Sequence, residues 1–325
     1  MTFLQTTLLV TALALLVERR IGYTDWLVPR IGHPVVWVGN LISRLEAKLN
    51  RQELTAQQRR TRGVIMLAAV LTAVGLVAVG LMMLLRLLTY GWILEALIAT
   101  SLLCQHELGQ RVGQVADGLE ESLEKGREQV SHLVGRDTQA LDEAGVSKAA
   151  IESLAENTSD GIIAPAFWMI FGGLAGAALY KAINTADSMV GYRNERYGAF
   201  GWASAKLDDL ANLIPARLTG LLFSLAMFTV SPTRAGHALK AMWRDARKHA
   251  SPNAGWPEAA MAGALGVALG GPRTYDGVAA DLPYMGDGSK EITPKTVRQA
   301  LQLYYLMLSA FVVLIGAPAA FWILT

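Results

Sequence analysis

Apolar residues fall into uneven runs separated by polar stretches. Residues 3–17 form a short run that stops at Glu18, Arg19 and Arg20. Residues 64–88 form a long one, VIMLAAVLTAVGLVAVGLMMLLRLL, above the roughly 20 residues needed to cross a bilayer. After the turn signal Tyr90-Gly91 comes a shorter partner, 92–104. Residues 161–183 are apolar but rich in Gly and Ala, 213–230 carry Pro215 and Arg217 near their start, 259–271 are small and weakly apolar, and 301–324 are clean. Strand signals are poor throughout. The pattern predicts an all-α, polytopic integral membrane helical bundle of one domain, 1–325. Spans are expected at 3–20, 64–88, 92–106 and 301–324, with a partly embedded, cytoplasmic-facing polar helical core over 150–271.

Charge sets the expected orientation. Arg19, Arg20, Arg51, Arg59, Arg60 and Arg62 fill the segment between the first two spans, which the positive-inside rule places in the cytoplasm. The pair 64–88 and 92–104 then goes out and returns, so 105–158 is expected as a cytoplasmic helical hairpin. Full crossings by both 161–183 and 213–230 would put the polar segment 184–212 outside. Gly172, Gly173 and Gly176 suit instead a helix buried among others that does not cross fully.

Composition agrees with a membrane protein. Of 325 residues 52% are hydrophobic and 17% charged, against about 25% charged in soluble domains, and mean hydropathy is +0.32. A net charge of +2 gives no argument for a nucleic-acid partner. The single cysteine, Cys104, excludes a disulfide framework and any Cys-based zinc site.

Two stretches hold candidate chemistry. In IESLAENTSDGIIAP, residues 151–165, Glu152, Glu156 and Asp160 are spaced to share one helix face. Like charges at that spacing repel. Either a cation such as Mg²⁺ or a set of arginines sits among them, or the face is simply solvated. The stretch 184–217, NTADSMVGYRNERYGAFGWASAKLDDLANLIPAR, places Asn184, Asp187 and Ser188 at helical spacing, supplies Arg193, Arg196 and Lys206, and adds Asp208, Asp209, Asn212 and Arg217. Carboxylates near guanidinium groups with glycines between them suit phosphates held through Mg²⁺ and Arg; a juxtamembrane loop tied by ion pairs is the alternative. In LVGRDTQALDEAG, residues 133–145, Gly135 reads as a helix end and Asp137 or Thr138 as a new N-cap. No Walker A motif is present.

Taken in order, HPVVWVG, RRTRG, VGRDT, ESLAENTSDG, NTADSMVGYRNERYGAFGWASAKLDDLANLIPARL and SPNAGWPEAAMAGALGV resemble the adenosylcobinamide-phosphate synthase family of cobalamin biosynthesis, the CbiB/CobD type. The resemblance covers most of residues 33–285. It implies an inner-membrane, multi-pass ligase with its active site facing the cytoplasm. Adenosylcobyric acid would be joined to (R)-1-aminopropan-2-yl phosphate, or a similar amino-alcohol phosphate such as ethanolamine phosphate, with ATP and Mg²⁺ as co-reactants. Later membrane-bound cobalamin-assembly enzymes are the implied partners, besides the corrinoid substrate, the amino-alcohol phosphate and the lipid bilayer. Under that reading Glu152, Glu156, Asp160 and Asp187 are the expected metal ligands. Arg136, Arg193, Arg196, Lys206, Arg217, Asn184 and Ser188 are expected on phosphates or nucleotide, and Asp208 or Asp209 as catalytic base. The rivals are a non-catalytic AmpE-like membrane sensor or assembly protein, and a transporter.

Overall fold

The computed structural model describes residues 2–22, 30, 32–135, 137–275, 278–280 and 282–324. Most of it is helical. Among the described residues three helices are long and apolar enough to cross a membrane: Ala56–Arg86, Glu143–Val190 and Pro294–Ala319. Trp202–Ala211 and Leu213–Phe228 pass the same test only when taken together as one broken span. The expected runs 64–88 and 301–324 fall largely on two of these helices, the first of which ends at Arg86. Run 3–20 becomes helix α1 (Phe3–Ile21), whose last turn carries Arg19 and Arg20. Run 92–106 becomes a nine-residue helix, Gly91–Ala99, then a 3₁₀ turn, Thr100–Leu102, and only then a new helix at Gln105. Neither is among the helices long and apolar enough to cross. The chain divides into two compact units, residues 1–104, 164–212 and 315–325 in one, 105–163 and 213–314 in the other.

The first unit contains α1, α2 (Pro34–Leu49), α3 (Ala56–Arg86), α4 (Gly91–Ala99), α8 (Ala164–Val190) and α9 (Trp202–Ala211). Local signals start its helices. Thr2 with Gln5 and Thr55 with Gln58 form capping boxes. His33 Nδ1 accepts from the Val35 amide, and Pro34 occupies the first turn of α2. Ile42, Met66, Val70, Ala182, Ala186 and Phe200 pack into one buried cluster of α2, α3, α8 and the turn before α9. The opposite face of α3 stays exposed at Leu76, Val77, Met83 and Leu84, as a lipid-facing helix requires. At Gly173 the backbone of α8 takes φ 61° and leaves the helical conformation. The Leu174 amide is satisfied by Glu95 Oε1 at 3.2 Å, and Glu95 is itself held by Arg86 at 3.2 Å.

Turn 191–201, joining α8 to α9, is strapped down from two sides. Arg196 grips Glu46 through Nε at 3.2 Å and Nη2 at 3.1 Å. Arg59 donates to the Arg196 and Glu195 carbonyls and, at 2.9 Å, to Asn50 Oδ1. Arg60 lies 4.3 Å over the Trp202 ring. Gly63 sits against the Phe200 carbonyl so closely that a Cβ there would overlap it. The stretch RRTRG is thus a clasp for this turn.

The second unit contains α5 (Gln105–Glu121), α6 (Leu123–Ser131), α7 (Glu143–Thr158), α10 (Leu213–Phe228), α11 (Pro232–Asp245), α12 (Gly255–Leu265) and most of α13 (Pro294–Leu324). The stretch expected as a helical hairpin, 105–158, holds three helices. α7 begins later than the N-cap expectation at Asp137 or Thr138: its cap is Asp142, which accepts from Gly145 N at 2.8 Å. Asp137 instead closes a local turn onto Gln139 N at 2.9 Å. A π-helical turn, Ser159–Ile163, follows α7. Every residue of α12 is buried, so this short helix is the centre of its unit. Two short antiparallel ribbons, Leu269–Gly270 with Tyr284–Met285 and Arg273–Tyr275 with Val278–Ala280, are the only described strands.

Asp245 ties this unit together. It accepts from Arg244 Nε at 2.8 Å, Arg244 Nη2 at 2.6 Å, Lys248 Nζ at 2.7 Å and the Gly286 amide at 2.8 Å. Arg244 also reaches Asp287 at 2.7 Å. Burial opposes ionisation of Asp245, but the hydrogen bonds from Arg244, Lys248 and Gly286 outweigh it and hold the carboxyl well below the usual range.

Two outcomes are expected in detergent. Gly63→Val forces the Phe200 carbonyl away and should lower stability by about 1–3 kcal/mol, read as an earlier thermal transition, with Gly63→Ala milder. Asp245→Asn removes the buried carboxylate that Lys248 and Arg244 share, leaving Arg244 only Asp287, and should destabilise by about 3 kcal/mol. Because the Asp245 carboxyl ionises more readily folded than unfolded, its contribution is complete above about pH 4 and lost as pH falls below that. Melting curves for wild type and Asp245→Asn should therefore converge on acidification.

Candidate functional site

In the first unit the end of α8, turn 191–201 and α9 bring together most of the residues expected from stretch 184–217. Asp208 is buried on α9. Its Oδ2 accepts from Asn212 Nδ2 at 3.0 Å and its Oδ1 from Asn184 Nδ2 at 3.4 Å. Asn212 is oriented in turn by the Tyr180 hydroxyl, which donates to Asn212 Oδ1 at 2.8 Å. Tyr180 is fully buried. A chain of hydrogen bonds thus runs Tyr180, Asn212, Asp208, Asn184, from α8 to α9 and back.

Asp187 lies one helical turn beyond Asn184, half-buried, within electrostatic reach of both Asp208 and Asp209. Its carboxylate occupies space that only a glycine at 191 leaves open: a Cβ on Gly191 would overlap Asp187 Oδ1. The Gly191 amide donates to the Asp187 carbonyl at 2.7 Å, so the end of α8 and its acid are set by the same close approach. Asp209 pairs with Lys206 at 3.5 Å along α9. Ser188 is exposed and bonds within its own helix, donating to Asn184 O at 2.9 Å. Arg193 is exposed on the turn. Arg196, expected on phosphate, is the guanidinium that holds Glu46.

The ladder lies in the second unit and does not present three equivalent acids. Glu152 is buried and accepts from the Gly270 amide at 2.7 Å, fastening the first ribbon to α7. Glu156 is exposed, and Asp160 is partly exposed within the π turn. A π turn has more residues per turn than an α-helix, so the four-residue spacing that aligns Glu152 with Glu156 does not carry unchanged to Asp160. Arg217 donates to Leu213 O at 2.6 Å and lies 4.4 Å over the Trp256 ring. In SPNAGWP, Ser251 Oγ accepts from the Asn253 and Ala254 amides, both at 3.2 Å. His249 Nδ1 accepts from Ser251 N at 3.0 Å, and its Nε2 is 3.7 Å from buried Glu258. Arg136 lies outside the described residues. Among the described residues, no three of His, Cys, Asp and Glu gather into a set able to hold a metal ion.

Sequence reasoning passed over Glu46 and Asn50, took Arg59 only as an orienting charge and part of RRTRG, and passed over Tyr180 and Lys181 on α8. Lys181 carried a signal, since it is a lone charge inside the apolar run 161–183. Glu46 carried none, because an acid four residues before Asn50 reads as an ordinary wet helix face.

Comparison with known proteins places the whole arrangement. The cobalamin biosynthesis protein CobD of Rhodobacter capsulatus is 46% identical over 307 residues, covering 94% of this chain and 95% of that one. The CobD of Rhizobium meliloti strain 1021 is 45% identical over 318 residues, 96% and 97% of the two chains. That of Brucella suis biovar 1 is 47% identical over the same length and shares. No solved structure matches. The family described as CobD/CbiB protein matches residues 11–304, a stretch holding both the Asp187–Asp208 cluster and the Glu152 ladder, and the chain belongs to that family.

Proposed function

We propose that this chain acts in cobalamin biosynthesis as an amide-forming ligase. It would join the carboxylate of adenosylcobyric acid to the amine of (R)-1-aminopropan-2-yl phosphate, or of ethanolamine phosphate, with ATP and Mg²⁺, giving adenosylcobinamide phosphate or its analogue. The observation that carries this reading is the crowding of Asp187, Asp208 and Asp209 beside Asn184 and Lys206 where an apolar helix ends in a clasped turn. Near-full-length likeness to proteins named for cobalamin biosynthesis supports the pathway.

The donor set fits a metal that arrives with nucleotide phosphates better than a resident one. Mg²⁺ usually keeps several waters and takes one or two carboxylates plus phosphate oxygens, so the lack of a three-acid cage among the described residues is no obstacle. Within the first unit Asp187 would hold it, with Asp208 beside it; within the second unit, taken by itself, Glu156 and Asp160 are the candidates. When bound, the ion would neutralise phosphate charge.

A carboxylate and an ammonium do not condense in water without activation. The acid's oxygen attacks the γ-phosphorus of ATP and ADP leaves; the amine nitrogen then attacks the acyl carbon and inorganic phosphate leaves. The chain's work is positioning and charge compensation. Arg193 and Lys206, the exposed cations of the turn and α9, would offset phosphate charge, with Asn184 and Ser188 orienting it. Asp209 or Asp208 would take the proton of the incoming ammonium. Asp208, with both oxygens engaged by amides, also keeps Asn184 in place. Within the second unit Arg217 is the candidate for phosphate. Because ATP is cytoplasmic, we place turn 191–201 on the cytoplasmic side of the inner membrane, where later membrane-bound enzymes of the pathway could take the product.

Asp187→Asn and Glu156→Gln should each reduce ATP- and Mg²⁺-dependent product formation at least 100-fold while the protein stays folded in the membrane. Unchanged turnover in either removes that residue from the site, and no product from wild type with both organic substrates overturns the ligase. Ala199→Cys, in a chain with Cys104 replaced by Ser, should react with an impermeant thiol reagent only from the cytoplasmic face of oriented vesicles. Labelling from the outer face alone overturns the orientation.

A further inference from the structure

Within the first unit, α2, α3, the α4 end and α8 line a cavity of about 310 Å³ that is open on one side, where Trp37 and Val77 are exposed. Its walls are apolar, with Trp37, Leu41, Val77, Leu102 and Leu174 among them, and it follows α8 from Leu174 to Thr185, about 16 Å of helix rise. Among the described residues Lys181 is the only charged side chain lining it. Among the described residues the Lys181 ammonium has no carboxylate within ion-pair distance; Asp208 and His33 act on it at longer range only. Burial first, and then the Lys181 charge, pushes His33 below the ordinary histidine value, so His33 adds no competing cation at neutral pH. A charge at an apolar surface inside a membrane protein is costly and marks function by default.

Position says what the cation is for. Lys181, Asn184 and Thr185 lie on one face of α8, so the cavity opens one helical turn from the Asn184–Asp208 bond. Ligation must bring a carboxylate up to a phosphate, two anions that repel. Each needs its own cation, and the carboxylate's should face an apolar surface rather than the polar turn. A macrocycle is far too large for the cavity, but one edge with its methyl groups and acid-bearing arm is not.

We propose that Lys181 pairs with the reacting carboxylate of the corrinoid acid, and that this cavity receives the apolar edge beside that arm. The inference rests on the ligase reading, and it makes Lys181 the residue that distinguishes an acid substrate from its neutral amide.

The test is equilibrium binding to the full-length protein in nanodiscs, read by corrin absorbance, with neither ATP nor amine present. The two probes are adenosylcobyric acid and the same corrinoid with that carboxylate capped as a primary amide. Wild type should prefer the acid at least tenfold. Lys181→Met should remove the preference by weakening the acid alone, Lys181→Arg should keep part of it, and Ala178→Phe, which fills the cavity, should weaken both probes. A preference that survives Lys181→Met, or wild-type binding by Ala178→Phe, overturns the proposal. Should wild type form product while that preference survives, the proposal fails and the ligase stands. Should the preference depend on Lys181 in a protein that forms no product, the ligase fails and the binding site stands.

Discussion

A buried carboxylate that accepts a backbone amide at a glycine break recurs three times, and the rest of the architecture depends on it. Glu95 takes the Leu174 amide beside Gly173, Glu152 takes the Gly270 amide, and Asp245 takes the Gly286 amide. All three glycines have positive φ. Where a helix or ribbon bends sharply away from water, an amide loses its regular partner, and leaving it unpaired costs free energy of the order of a hydrogen bond or more. A fixed carboxylate satisfies it and tolerates irregular geometry better than another main-chain group. The acids have their own partners: Glu95 has Arg86, and Asp245 has Arg244 and Lys248. In a chain this apolar, buried acids are first of all the means by which helices are broken without loss.

That scaffold decides where the candidate chemistry sits. Turn 191–201 is polar and partly exposed, yet it is not loose. Gly63 and Gly201 let backbone approach backbone, and Arg59 and Glu46 close the turn from two helices. Gly191 leaves room for the Asp187 carboxylate and no more. Acids on the helices that flank such a turn keep their spacing, the kind of preorganisation that electrostatic compensation of a charged ligand requires. The Tyr180–Asn212–Asp208–Asn184 chain does the same beneath it, fixing an amide and a carboxylate by bonds that do not involve solvent.

Much of this was legible in the sequence, and the failures have physical reasons. Long uninterrupted runs such as 64–88 and 301–324 need no tertiary help to be helical, and hydropathy finds them. Run 92–106 is divided into a helix, a 3₁₀ turn and the start of another helix, which hydropathy does not register, any more than it registers that Gly91 packs against the Leu85 carbonyl, where α4 doubles back on α3. The motif glycines and acids of 184–217 were visible as a cluster, whereas their clasp was not: Glu46 is 150 residues from Arg196, and nothing local marks an acid as the partner of a distant arginine. The equal spacing of 152, 156 and 160 hides unequal surroundings, because equal spacing implies equal surroundings only on an uninterrupted α-helix exposed along its length. The π turn and the burial of Glu152 break both conditions. Lys181 could have been found by asking why an apolar run tolerates a charge.

In both units a dense acidic motif resolves into acids that hold the protein and acids that face outward. Glu152 is committed to Gly270 and Asp208 to two asparagines, while Glu156 is exposed and Asp187 sits half-buried at the edge of its cluster. Counting acids in a motif therefore overstates how many can serve a ligand. A metal that brought no ligands of its own would need more carboxylates than either unit offers among the described residues, whereas one already carrying phosphate oxygens and water does not. The division of labour among the acids thus favours chemistry in which the charge to be neutralised and the metal that neutralises it enter together, with the protein contributing one or two fixed oxygens and the cations around them.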